Sequence, residues 1–247
     1  FNYHAGKLSK YCENILRGLI AGDKLGAFCL TEGSASGSNI LREMTTRAVP
    51  SPDGKRYRVT GNKMWITNAE TADVYAVFAR TSKDPKNGIS LILVERGTKG
   101  FSIGQIFEKR VVENSSFGEL VFNNVEVPVE NLVGEVGQGA QYAVKMLNSG
   151  RITIATLAVG LAQRAFDEYM EVAVEGKKSA EKHLVEYDRT KCKIAEMSLE
   201  INAARDMTFH AAWLKGRYDA NPDSDEVLRD YVIASNGAKL KSSLIAQ

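Results

Sequence analysis

With 247 residues, the chain is long enough for one large core or two modest ones. Its 32 Lys and Arg against 30 Asp and Glu leave a formal net charge of +2, too mild to mark a nucleic-acid partner, and no basic face with interleaved aromatics is present. Three widely spaced cysteines without a CxxC pair argue against a disulfide framework or a thiolate zinc site, so a reducing compartment is expected.

The opening stretch FNYHAGKLSKYCEN has no apolar run with a small-residue cleavage site and lacks the Arg-rich, acidic-poor character of a transit peptide. The expectation is that targeting has been removed or that the true beginning lies upstream. Over residues 8–20, Tyr11, Ile15, Leu16, Leu19 and Ile20 are spaced as on one helix face, and Gly22 ends the helix.

From residue 25 to about 132 the texture changes to short β-rich runs at 28–31, 44–48, 57–60, 63–67, 73–80, 89–94 and 119–122. Ser51-Pro52-Asp53-Gly54, Asp84-Pro85-Lys86-Asn87-Gly88 and Arg96-Gly97-Thr98 supply the turns. Frequent turns without intervening helices predict an antiparallel β sandwich or barrel.

After Gly134 the period becomes helical. Residues 138–173 read as one long helix, apolar nearly all round in its middle and therefore packed on several sides. Its longest uncharged segment, 152–163 between Arg151 and Arg164, falls short of the roughly 20 residues that span a bilayer and reads as a buried helix. A second helix covers 184–218, with Ile194, Met197, Ile201 and Ala204 on one face. Asn221-Pro222-Asp223 turns the chain into a third helix from about Asp225. Three such helices leave apolar faces that call for companions, so the fold class is α+β: a β domain followed by part of a helical bundle.

Two stretches carry chemistry. KLGAFCLTEGSASGSN, residues 24–39, runs from a strand into a Gly/Ser-rich turn, yet it has neither the GxxxxGK[ST] spacing of a P-loop nor the GxGxxG of a dinucleotide turn. By composition it is a flexible turn. Gly61-Asn62-Lys63-Met64-Trp65-Ile66-Thr67-Asn68 holds a tryptophan that, alone, reads as core.

Together and in this order, the two stretches resemble the acyl-CoA dehydrogenase family, in which an AFCLTEP-like strand and a Gly/Ser run precede a GxKxWITN signature. The likeness continues through VYAVFART, GISLILVERGTKGFSIG, GELVFNNVEVPVENLVGEVGQG and LNSGRITIATLAVGLAQRAFDEYMEVA, nearly the whole chain, and VPSPDGKRY looks most like the long-chain branch. It implies that residues 1–24 end an N-terminal helical domain, 25–134 form the β domain, and 135–247 begin the C-terminal helical domain.

The resemblance also implies FAD as cofactor. Phe28, Leu30, Thr31, Trp65 and Thr67 would contact the isoalloxazine, Trp65 on one face, with small residues from Gly33 to Ser38 letting backbone approach. Lys177 would reach the pyrophosphate, Ser38 would meet the acyl-CoA substrate, and Arg151 would stand near the coenzyme A phosphates. Electron-transfer flavoprotein would be the redox partner. The protein would be a homo-oligomer or a subunit of a larger assembly, in the mitochondrial matrix or at its matrix face, or in the cytoplasm of a bacterium.

Several positions depart from the family pattern. The catalytic glutamate of most members lies beyond a GGxGY segment not included in these residues, and in one branch it precedes the helix arginine, where this chain has Gly150. No catalytic base is assigned. An RxxFG motif becomes Lys177-Lys178-Ser179-Ala180-Glu181, a family Gln becomes Asp188, and Gly-x-Arg/Lys-x-Ser-x-Thr becomes Val111-Val112-Glu113-Asn114-Ser115-Ser116-Phe117. The TEP proline is replaced by Gly33-Ser34. His4, His183 and His210 are isolated and suggest no metal site. Two functions are therefore expected: an FAD-dependent acyl-CoA dehydrogenase, or a catalytically inactive homologue that serves as a structural or assembly subunit.

Overall fold

A computed structural model describes residues 8–34, 39–84, 88–110, 112–176 and 182–247. The chain divides into two compact units, Phe1–Val144 and Lys145–Gln247.

The first unit is a single curled sheet of seven strands flanked by short helices. Helix α1, Lys10–Ala21, starts where the Ser9 hydroxyl accepts the Cys12 amide at 3.1 Å and stops at Gly22, whose φ of 82° only glycine adopts without strain. Its Cys12 and Ile15 pack on Val74 and Leu93. The strands are β1 Gly26–Cys29, β2 Arg47–Pro50, β3 Arg56–Thr67, β4 Val74–Arg80, β5 Ile89–Glu95, β6 Phe101–Ile106 and β7 Phe117–Pro128, in the order β1-β4-β2-β3-β7-β6, with β5 on β4.

Most pairings are antiparallel, as the sequence predicts, but β1 runs parallel to β4, and β2 joins β4 through the parallel pair Arg47 and Arg80. The sheet is therefore mixed. The separate runs at 57–60 and 63–67 are one long strand, because Gly61 lets the backbone pass close to Thr46 without a break. Strand β6 escaped the sequence reading: it is short, carries Gly104 and is mostly half-exposed. Residues 44–48 are not one strand either. Helix α2, Ile40–Glu43, precedes β2, and Thr45 and Thr46 between them are held by Glu32.

Strands β4 and β5 are buried on both faces. Tyr75, Val77, Ile92 and Val94 join the main core with Val59, Ile66, Leu120, Phe122, Val125 and Val127. On the opposite face Phe78, Ile89 and Leu91 meet Leu30, Ile40, Met44 and Ala143. Double-sided burial explains why these two strands read as nearly continuous apolar runs.

The second unit contains most of helix α3, Gly139–Glu175, then α4, Asp188–Ala220, and α5, Asp225–Ile245. Ala155, Ala211 and Ala238 let the three helices approach closely, and Leu214, Tyr218 and Tyr231 fill the space beside them. The uncharged segment of α3 is only partly buried: Ala155, Ala158, Val159 and Ala162 are inside, while Ile154, Leu157 and Leu161 are exposed. Leu199, Phe209 and Trp213 on α4 and Ile233, Leu240 and Leu244 on α5 are exposed too. Among the described residues, no helix is long and apolar enough to cross a membrane.

Candidate functional site

Residues 26–31 lie antiparallel to residues 63–68. The Met64 amide donates to the Thr31 carbonyl at 2.9 Å, Lys63 Nζ to the Leu30 carbonyl at 3.0 Å, and Asn68 Nδ2 to the Gly26 carbonyl at 3.4 Å. Strand β1 itself ends at Cys29, two residues earlier than the sequence suggests, because the Leu30 carbonyl is taken by a side chain.

At this edge the sheet is bulged. Between Lys63 and Ile66, β3 uses three steps where β7 uses two, from Leu120 to Gly118, and Trp65 adopts φ 63°. That conformation is uncommon for a bulky residue and costs on the order of 1–3 kcal/mol. The bulge turns the indole outward, leaving Trp65 49% exposed between buried Lys63 and Ile66. Strand β6 has a matching irregularity between Ile103 and Ile106 against the same two β7 residues, so both neighbours of β7 splay at one level.

Phe107 and Phe117 fill the splayed end, with ring centroids 4.5 and 5.9 Å from Trp65. Lys109 Nζ lies 5.6 Å from the Phe117 ring centre and donates to Ser115 Oγ at 2.6 Å. An open groove of about 520 Å³ continues along Thr71, Phe107, Lys109, Ser115 and Ser116.

Behind the edge lies an ion pair that the sequence reading did not single out. Lys63 Nζ and Glu32 Oε1 are 2.8 Å apart with side chains 0% and 1% exposed. Glu32 also accepts the Thr45 amide at 2.7 Å, the Thr45 hydroxyl at 2.6 Å and the Thr46 amide at 3.0 Å. Burial pushes the Glu32 carboxyl up, but the adjacent Lys63 ammonium and these hydrogen bonds outweigh it and hold the group at about 2. Burial pulls the Lys63 ammonium down and Glu32 opposes that shift. The signal was available: Tyr57, Val59 and Lys63 fall on the inward set of β3, and a lysine there needs a buried partner.

Of the residues expected to contact a ring, Phe28 packs edge-on to Phe78 with centroids 5.0 Å apart, Leu30 is buried, Thr31 is half-buried, and Trp65 and Thr67 are exposed. Among the described residues the Thr31 and Thr67 hydroxyls take no hydrogen bond. Two unengaged hydroxyls and an exposed indole on two segments tied together by the Met64–Thr31 hydrogen bond fit a flat ring with polar atoms at its rim. Gly33 lies so close to Met64 that an added Cβ would stand 3.2 Å from Met64 Cε, so the turn hugs this strand. Ser38 and Lys177 lie outside the described residues.

In the second unit, Arg151 donates through Nη1 to Asn148 Oδ1, one turn earlier on α3. Burial, Asp219 and Tyr218 push the Tyr231 phenol up to about 12 against the opposing charge of Arg151. Gly150 has open space where a side chain would begin. Asp188 opens α4, 94% exposed and paired with Lys191 at 3.1 Å, a favourable place for a carboxylate at a helix start.

Comparison with known proteins gives one consistent result. The acyl-CoA dehydrogenase middle-domain profile matches residues 27–125, and the C-terminal-domain profile of the same family matches residues 137–246. A short-chain-specific acyl-CoA dehydrogenase of Megasphaera elsdenii is 39% identical over 204 residues, 82% of this chain and 52% of the relative. The solved butyryl-CoA dehydrogenase of that organism aligns at a TM-score of 0.83 and 34% identity, covering 94% of this chain and 57% of the other. The FAD complex of PigA aligns at 0.81 and 27% identity, covering 97% and 61%. The chain spans about half the length of the curated relatives it matches.

Proposed function

Because the chain belongs to the acyl-CoA dehydrogenase family, we propose that it is the flavin-bearing part of an FAD-dependent enzyme that oxidises the α,β bond of an acyl-CoA thioester. The observation that carries this reading is the Met64–Thr31 hydrogen bond, which ties the Thr31 segment to the strand that bears Trp65 and Thr67. When bound, FAD supplies the hydride acceptor.

The chain's own contribution is binding and orientation. Trp65 covers the ring and excludes water, Thr31 and Thr67 hydrogen-bond its rim, and Phe28 and Leu30, packed into the core beside Phe78, anchor the segment that approaches it. Lys177 answers the pyrophosphate charge, and Ser38 and Arg151 hold the thioester and the coenzyme A phosphates. The proton on the α-carbon requires a carboxylate opposite the ring. Gly150 does not supply it, and none of these 247 residues is assigned as the base.

Electron-transfer flavoprotein is the proposed acceptor, and the proposed assembly is a homo-oligomer or a larger complex. Its compartment is the mitochondrial matrix, or the cytoplasm if the source is bacterial. VPSPDGKRY resembles the long-chain branch while the Megasphaera elsdenii relative is short-chain specific, so the proposal names a thioester class and no acyl length.

A second reading, an inactive homologue kept as a structural or assembly subunit, is favoured by Phe117 packing on Trp65 where the family has Thr. Purification separates the two. An active enzyme is yellow and its flavin absorbance bleaches when acyl-CoA is added anaerobically; a colourless protein that stays colourless with added FAD removes the first reading.

A further inference from the structure

We propose that Glu32 and Lys63 are positioning residues: their buried ion pair fixes the Thr31 edge against the bulged Trp65 strand and so sets the width of the ring-binding shelf. Burying two charges is costly before they interact, and packing alone would be served as well by apolar side chains. The pair must therefore be judged by what it holds in place.

Lys63 Nζ donates both to the Leu30 carbonyl at 3.0 Å and to Glu32 Oε1 at 2.8 Å, the residues on either side of Thr31. Thr31 itself is tied through its carbonyl to the amide of Met64, the neighbour of Lys63. Three consecutive residues of one segment are thus registered on two consecutive residues of the other. Glu32 extends the brace to a third segment through Thr45 and Thr46. Arg80 holds the far side of that segment through the Leu41 and Met44 carbonyls, at 3.0 and 3.3 Å.

Trp65 follows this brace at once. Its left-handed backbone persists only if its flanks are over-determined, and they are: Lys63 on one side by its two hydrogen bonds, Ile66 on the other by burial at 2% exposure. Removing the brace frees the bulge to relax and moves the indole relative to Thr31.

The functional meaning rests on the flavin reading, but the geometry is testable without flavin. In a background in which every tryptophan of the protein other than Trp65 is replaced by Phe, Trp213 among them, so that emission reports Trp65, the full-length protein is compared with the uncharged double variant Glu32→Gln/Lys63→Met. Three quantities are read: the unfolding midpoint, Trp65 emission and acrylamide quenching without ligand, and FAD affinity by flavin fluorescence.

The expected result is a nearly unchanged midpoint, altered Trp65 emission and FAD binding weakened at least about tenfold. A double variant that folds with parental Trp65 emission, or that binds FAD as tightly as its parent, overturns the proposal. If the parent itself fails to bind FAD, the flavin reading falls, and the Trp65 emission still decides the positioning. If the double variant does not fold, Thr45→Val removes only the hydroxyl bonded to Glu32. A shift of Trp65 emission in this variant supports the brace, and parental emission overturns it.

Discussion

The Met64 amide donates to the Thr31 carbonyl at 2.9 Å, one residue from a tryptophan whose backbone is left-handed. This junction joins two motifs separated by some thirty residues of chain and turns a sequence resemblance into an edge of defined chemistry. Its strain is measurable: Trp65→Gly should be more stable than Trp65→Ala by about 1 kcal/mol, because glycine adopts φ near +60° freely and alanine does not. Urea unfolding of the two variants checks this, and equal midpoints would deny the bulge.

The Glu32 carboxyl is held at about 2 against an ordinary value of 4.5. A carboxyl lowered in the folded state contributes stability that is fully present above its unfolded value and is lost as pH falls through the folded one. Thermal unfolding should therefore show an acid limb between about pH 4.5 and pH 2, and Glu32→Gln should flatten that limb while lowering stability at pH 7. A limb of unchanged depth in the variant would contradict the pair.

Gly61 sits at φ 145°, and an added Cβ would stand 2.6 Å from Thr46 Cα. Gly61→Ala should cost about 2–3 kcal/mol, because backbone must move to accept the methyl group. Thr46 also donates to Glu32, so the same variant should weaken FAD binding. Calorimetry and a flavin titration read the two effects.

Gly150 lies inside α3 with no atom within 4 Å of an added Cβ. Gly150→Ala should stabilise the protein by about 0.5–1 kcal/mol through helix propensity alone. A loss of stability would reveal a close contact at this face in the assembled protein.

Much of the fold was legible because its signals are local. Gly22, the β4 and β5 apolar runs and the start of α5 near Asp225 stand where composition and period put them. Strand β6 was missed because Gly104 and its half-exposed face erase both propensity and alternation. At the site, Trp65 and Thr31 were found through motif resemblance, whereas Glu32 and Lys63 stand inside the same two motifs without a role that the motifs reveal. Their significance lies in burial and in a partner 31 positions away, which no window along the sequence contains. The parallel β1–β4 pairing was hidden for the same reason, since strand direction is a long-range property.

The most direct test of the account is an FAD titration of the full-length protein beside Trp65→Ala and Thr31→Val/Thr67→Val, followed by flavin fluorescence and visible absorbance. The parent should bind saturably, and both variants at least about tenfold more weakly, with unfolding midpoints that stay close to the parent's. Saturable binding that is unaffected by these substitutions would place the flavin elsewhere, and a parent that binds no FAD would contradict the flavin site altogether.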